Sequence, residues 1–166
     1  MLNLNPGDSD ADKHAHRNPG FRTAIIRNLR HASHEYPFYP LNPEFAWTPC
    51  AQWWLKHLRE LFEKDKGGLN QDTVAQRLCV IEWFPYHSRK SALPIQRVCP
   101  SQDYSLELAC RAIETKLVVG MRAKKRWTAV HPRFESVPFL KNPQNCYISV
   151  GNAGELFHRI VAALRN

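Results

Sequence analysis

Three polar segments of the sequence each follow an apolar run and carry residue types that suit binding or hydrolysis. They are residues 5–10, 82–88 and 149–154. Apolar runs of this length predict buried parallel strands. In open α/β sheets, ligands bind beyond the carboxyl ends of such strands. We therefore expect the three loops to meet at one sheet edge and to line a pocket with convergent polar groups.

The first loop begins with Asn5, Pro6 and Gly7 and continues into Asp8 and Asp10. Proline fixes one backbone angle, and glycine allows angles that other residues avoid. The chain therefore turns sharply and presents Asn5 and the backbone amides after it beyond the sheet. An ordinary turn explains the same pattern.

In the second loop, Glu82 follows an apolar strand, so its carboxylate would be partly desolvated. Desolvation raises a carboxyl pKa and suits the group to acid–base work or hydrogen bonding. The alternative is an ion pair with a lysine or arginine. Phe84 and Tyr86 would stack on a base or simply cover the sheet edge. His87 is a candidate proton donor.

The third loop contains Ser149, Gly151 and Asn152, with Glu155 three residues beyond Asn152. This is an N-cap pattern, either purely structural or with free amides that favour anions. A separate basic segment precedes Trp127 and suits phosphate, although a solvated basic face gives the same pattern. Its cations are Arg122, Lys124, Lys125 and Arg126.

Composition predicts a soluble, cytoplasmic protein whose basic surface favours polyanions. The net charge is +8 and the pI is about 9.5, which favours nucleic acid through steering and counterion release; solubility is the alternative. No apolar run is long enough to span a bilayer, so we expect no membrane contact, and we see no secretory signal. The five cysteines form no C-x-x-C pair, so we expect reduced thiols, no metal and no cofactor.

The order of elements predicts one α/β domain over residues 1–166. Strands over residues 1–5, 78–81, 117–120 and 146–150 are separated by helical segments. Such alternation favours parallel crossovers and a sheet covered on both faces. The fold class is therefore a three-layer α/β/α domain with a central four-stranded parallel sheet, whose first strand we expect to be clipped at its start. No phosphate loop, dinucleotide fingerprint or nucleophile elbow occurs, which argues against NTPases, common dehydrogenases and α/β-hydrolases.

Two motifs near the start of the chain resemble those of a known superfamily. Residues 4–7, Leu-Asn-Pro-Gly, are close to the G-I-N-P-G strand end of mismatch-specific uracil-DNA glycosylases. Residues 18–21, Asn-Pro-Gly-Phe, resemble the helix start that follows in those enzymes, and residues 117–123 are similar to the apolar strand, glycine and alanine of the wider superfamily. The chain thus resembles the uracil-DNA glycosylase superfamily, which has a four-stranded parallel α/β/α fold.

This resemblance implies that Asn5 positions an attacking water and that Phe21 packs against an extruded base. Glu82 or Trp83 occupies the region where many members read the base edge with an asparagine. Residues 149–154 depart from the family patterns H-P-S-P and N-P-S-G. The histidine that stabilises the departing base and the Pro-Ser clamp are both missing.

The leading hypothesis is a DNA-repair hydrolase that flips a nucleotide and cleaves its N-glycosidic bond. Asn5, helped by Asp8 or Asp10, would orient water. Amides near Gly151 and Asn152 would stabilise the leaving base. The alternative is a catalytically degenerate protein of the same fold that binds nucleic acid or a nucleotide. A third hypothesis is a different hydrolase that uses Glu82 and His87.

Overall fold

The computed structural model describes residues 1–32, 35–88 and 99–166, and these are mostly helical. The helices and strands are, in chain order, β1 (Leu2–Asn3), α1 (Asp10–Ala15), α2 (Pro19–Leu29), α3 (Pro49–His57), α4 (Arg59–Phe62), α5 (Gln71–Arg77), β2 (Ile81–Glu82), α6 (Ser101–Thr115), α7 (Lys124–Val130), α8 (Val150–Ala153) and α9 (Glu155–Arg165). Short 3-10 helices cover Tyr39–Leu41, Pro43–Phe45 and Pro132–Ser136. No helix of the described residues is long and apolar enough to cross a membrane.

The chain divides into two units, and each is built from two stretches of sequence. The first unit consists of Met1–Asp8 and Val80–Cys146. The second consists of Ser9–Cys79 and Tyr147–Asn166. Of the three predicted loops, the second and the start of the first belong to the first unit, while the third belongs to the second unit.

A short parallel sheet organises the first unit. Strand β1 pairs with β2, with Asn3 opposite Glu82. On its other side β1 makes a single parallel bridge from Leu2 to Gly120, and Gly120 makes another to Phe139. Below this layer, the core contains Trp83, Trp127 and Phe134, which are buried along with residues of α6.

The predicted three-layer α/β/α fold with a central four-stranded parallel sheet is wrong, since the described residues are mostly helical and form only a two-stranded sheet flanked by single bridges. The predicted third strand, residues 117–120, is reduced to the bridges at Gly120. Beyond Gly120 the neighbour is a segment expected to be a loop: the N–H of Gly120 donates to Pro138 O, and the N–H of Leu140 donates to Gly120 O. Since Pro138 has no N–H to donate, the ladder stays short here.

The predicted fourth strand, residues 146–150, contains no strand at all. Its backbone is used by helices instead: the N–H of Ile148 donates to His57 O at the end of α3, and Ser149 caps α8. Cys146 and Ile148 are both fully buried. The alternation of apolar residues in this segment therefore reflects burial and not strand pairing.

In the described part of the second unit, every secondary-structure element is a helix. Asn18 caps α2 and accepts from Phe21 N, while Pro19 occupies the first turn, a position that suits proline. On the inner side of α2, Phe21 packs against Phe45 in a small core with Ala15. These contacts fix α2 on one side and leave its other side to solvent.

Candidate functional site

In the first unit, three loops follow the carboxyl ends of adjacent parallel segments. They are residues 5–8 after β1, residues 84–88 after β2, and residues 122–126 after the bridge at Gly120. The first two run side by side, because the N–H of Phe84 donates to Leu4 O at 2.8 Å and the N–H of Ser88 donates to Pro6 O at 3.1 Å. Adjacent parallel segments end on the same edge, so all three loops lie at that edge of the first unit.

A buried polar pair, Asn3 and Glu82, lies at the start of this edge. Asn3 is 5% exposed, and its Nδ2 donates to Glu82 Oε1 at 3.1 Å. The backbone carbonyl of Asn3 accepts from Trp127 Nε1 at 3.0 Å, which fixes the strand. Among the described residues, Asn3 Oδ1 and Glu82 Oε2 are buried and have no hydrogen-bond partner. Leaving such atoms unsatisfied costs about 1–3 kcal/mol each, so they suit a ligand or a water.

Burial raises the pKa of the Glu82 carboxyl to about 7; the hydrogen bond from Asn3 and the positive charge of Arg122 oppose the shift. Glu82 as a residue is partly exposed, but its carboxyl oxygen Oε2 is not. Near neutral pH both protonation states are therefore populated. Glu82 can accept a proton or donate one, as an acid–base group requires.

Arg122 is held by the protein close to this pair. Its Nη2 donates to Gln144 O at 3.2 Å, and its Nε donates to Cys146 Sγ. Burial raises the pKa of the Cys146 thiol, while Arg122 acts in the opposite sense. Cys146 is thus a neutral thiol near pH 7, and Arg122 places a positive charge near Glu82.

After Arg122, residues 123–126 turn abruptly into α7. Ala123 has a left-handed backbone, with φ of 60°. Lys124 and Lys125 follow it and are exposed, whereas Arg126 is half-buried. The predicted phosphate-binding cations thus differ in access, and the two lysines are the ones that face solvent.

The aromatic residues of the second loop lie at the surface. Tyr86 is 54% exposed, and its ring meets that of Phe84 edge-on with centroids 5.6 Å apart. The Tyr86 hydroxyl accepts from Ser101 Oγ at 3.0 Å. This bond holds the ring in place and leaves much of it accessible for stacking.

The remaining polar groups of residues 5–8 and 84–88 make contacts within and between these two loops. Asn5 is half-buried, and its Nδ2 donates to Pro6 O at 2.9 Å, so its side-chain oxygen is the group that can accept from a water. His87 Nδ1 lies against the carbonyl of Gly7, which requires the proton on Nδ1. A side chain at Gly7 would meet open space, and Asp8 is half-buried at the end of this stretch.

The other predicted site residues lie in the second unit. Asp10 begins α1 and pairs with Lys13 at 2.9 Å, while Phe21 is 2% exposed within the core. The ring of Phe21 is enclosed by its own neighbours, so we give it a packing role. It meets His16, Tyr39 and Phe45.

In the loop around α8, several backbone amides are used by the chain itself. Asn152 N donates to Ser149 Oγ at 3.1 Å, and Val150 N donates to Glu60 Oε2 at 3.0 Å. Asn152 was expected to cap the last helix, but α9 begins at Glu155 after Gly154, and Ser149 is the cap of α8. Gly151 lies inside α8, with open space beside its Cα.

Asn3 is a site residue that was not predicted from the sequence, although a signal for it exists. In Leu2-Asn3-Leu4 a single amide interrupts an apolar strand, and burying it without a partner would be unfavourable. Its parallel register with Glu82 depends on residues far apart in sequence.

Comparison with known proteins identifies no relative: the chain matches no protein-family model, no curated protein and no solved structure.

Proposed function

We propose that the protein is a hydrolase that cleaves the N-glycosidic bond of a base in nucleic acid, at the loop edge of the first unit. The observation that carries the proposal is the buried pair Asn3–Glu82, with unsatisfied oxygens and a carboxyl pKa of about 7. A group of this kind is expected where a proton must move near neutral pH.

The first loop would position the nucleophile, which is a water. The side-chain oxygen of Asn5 accepts a hydrogen bond from water and orients it toward the anomeric carbon of the sugar. The water oxygen forms the new bond to that carbon, while the carbon–nitrogen bond breaks and its electron pair leaves with the base. Glu82 takes the proton from the water and delivers it to the departing base. The charge of Arg122 stabilises the base as negative charge develops on it.

Two surface features support a nucleic-acid substrate. The exposed ring of Tyr86 offers a stacking face for a flipped base. The exposed side chains of Lys124 and Lys125, at the same edge of the first unit, suit backbone phosphates.

The test is incubation with oligonucleotides containing uracil, xanthine, hypoxanthine or mismatches, scored for abasic product. We expect Asn5→Ala and Glu82→Gln to lower turnover by about 100-fold or more, as loss of a general acid–base group does. Glu107→Gln is the matched control, because Glu107 is exposed on α6 and, within the described part of the chain, its ion pair is with Arg111 on its own helix. Equal turnover in all three variants and the wild type would refute the assignment of the site.

A second candidate is a protein that binds nucleic acid without cleaving it. It is favoured by the loop of α8, where the amides of Val150 and Asn152 are already used by Glu60 and Ser149. These amides are therefore not free to stabilise a leaving base. Salt-dependent oligonucleotide binding with no abasic product on any substrate of the panel would select this candidate.

A further inference from the structure

We infer that the outer face of α2, in the second unit, is a docking surface for the phosphate backbone of duplex DNA. The face is defined by Arg22 and Arg27 of α2 and by Arg30, the residue that caps its C-terminal end; all three are exposed. Its residues belong to the second unit and not to the loop edge of the first, and the inference does not depend on base release.

The charge of this region is one-sided over a long stretch. No acidic residue occurs between Asp12 and Glu35, whereas arginines recur through the segment. Among the described residues neither Arg22 nor Arg30 takes part in an ion pair. Exposed cations with no internal partner raise the local positive potential and attract polyanions.

The helix presents these side chains from a fixed platform. Its start is capped by Asn18, and near its end Asn28 Nδ2 donates to Pro37 O at 2.6 Å. Phe21 anchors the inner side. At about 1.5 Å of rise per residue, Arg22 and Arg30 are separated by about 12 Å along the axis. Two long guanidinium side chains at that separation can reach phosphates of one strand without any change in the helix.

The same packing argues against a lipid surface. A helix that lies on a membrane needs a free apolar side, but the inner residues of α2 are used in the core of the unit, with Ala24 and Ile25 packed against it. The outer face carries only Ile26 and Leu29 as exposed large apolar residues, at 42% and 73% exposure. The planar guanidinium of arginine suits contacts with phosphate. DNA therefore fits this face best.

The experiment measures binding of a fluorescent 30-base-pair duplex by anisotropy over a range of salt concentrations. The variant Arg22→Gln/Arg30→Gln is compared with Lys64→Gln/Arg159→Gln, which removes two exposed cations elsewhere in the same unit. Both variants lose the same net charge. Far-UV circular dichroism and melting temperature confirm that each is folded.

We expect the α2 variant to bind about 10-fold more weakly near 0.1 M salt. The slope of log K against log salt should become less steep by about 2, one for each phosphate contact that is lost. The control should keep most of the wild-type slope. Equal loss in both variants would overturn the inference, because it would show a general charge effect. Absence of duplex binding, tighter binding to anionic vesicles, or equal competition by polyglutamate would overturn it as well. Duplex binding through α2 without abasic product would uphold it while the proposed hydrolase fails.

Discussion

Replacing Glu82 with glutamine should change the way in which stability depends on pH. The folded protein holds this carboxyl at a pKa of about 7, against 4.5 for an ordinary glutamate. One pKa unit corresponds to about 1.4 kcal/mol, so the difference corresponds to about 3 kcal/mol. A glutamine has the same shape and no ionisation, and its amide can still contact Asn3.

The sign follows from proton linkage. Between pH 4.5 and about 7 the unfolded chain has released the Glu82 proton while the folded chain still keeps it. The contribution of Glu82 to the free energy of unfolding is therefore fully present below pH 4.5 and is lost as the pH rises toward 7. The free energy of unfolding of Glu82→Gln, relative to wild type, should rise by up to about 3 kcal/mol across that interval and stay constant above it.

Urea titrations at half-unit steps from pH 4 to pH 8.5 would measure this difference, and Glu107→Gln provides the exposed control. A carbon-13 NMR titration of the Glu82 carboxyl would locate its midpoint directly. If the difference between Glu82→Gln and wild type is the same at pH 4.5 and pH 7.5, the carboxyl is not buried as described. A midpoint below pH 5 would refute the reasoning in the same way.

Three further substitutions test local packing and helix capping. Gly120→Ala would place a Cβ 2.1 Å from the Phe139 ring and should lower stability by about 1–3 kcal/mol, whereas Gly151→Ala meets open space and should leave the melting temperature nearly unchanged or slightly higher. Ser9→Ala removes the capping box in which Ser9 and Asp12 satisfy each other's backbone amides, and should cost about 1 kcal/mol; hydrogen exchange of the α1 amides would report it, and unchanged protection would contradict the cap.

Local signals predicted several helices well. The apolar periodicity after Pro19 predicts a helix, and α2 forms there. Asn70 is a favourable N-cap residue that predicts a helix start, and α5 begins directly after it. The amphipathic pattern over residues 52–65 predicts one helix, but the structure has two, because α3 begins at Pro49 and a break at Leu58 separates it from α4. Helix α1 was missed because it is short and polar, although Ser9 and Asp12 form a capping-box pattern.

The sheet was harder to predict because its determinants are distant in sequence. Apolar alternation at Cys146 and Ile148 is shared by buried strands and by buried extended segments, and only the bond from Ile148 to His57 distinguishes them. The site shows the same limit. The apolar run before Glu82 predicts that its carboxylate is desolvated. The role of Asn3 cannot be predicted in this way, because it depends on the parallel register that places Asn3 opposite Glu82.

The interleaved order of the two units has a consequence for biosynthesis. The residues that pair across β1 and β2 are separated by 79 positions, as in the contact between Asn3 and Glu82. On a ribosome, the first strand emerges long before its partner, and its apolar side chains stay exposed while the intervening helices are made. Helix α9, which belongs to the other unit, is made after both strands. Neither unit can fold completely until its second stretch of sequence has been made. A nascent chain that stalls near residue 79 should therefore expose apolar side chains and bind chaperones.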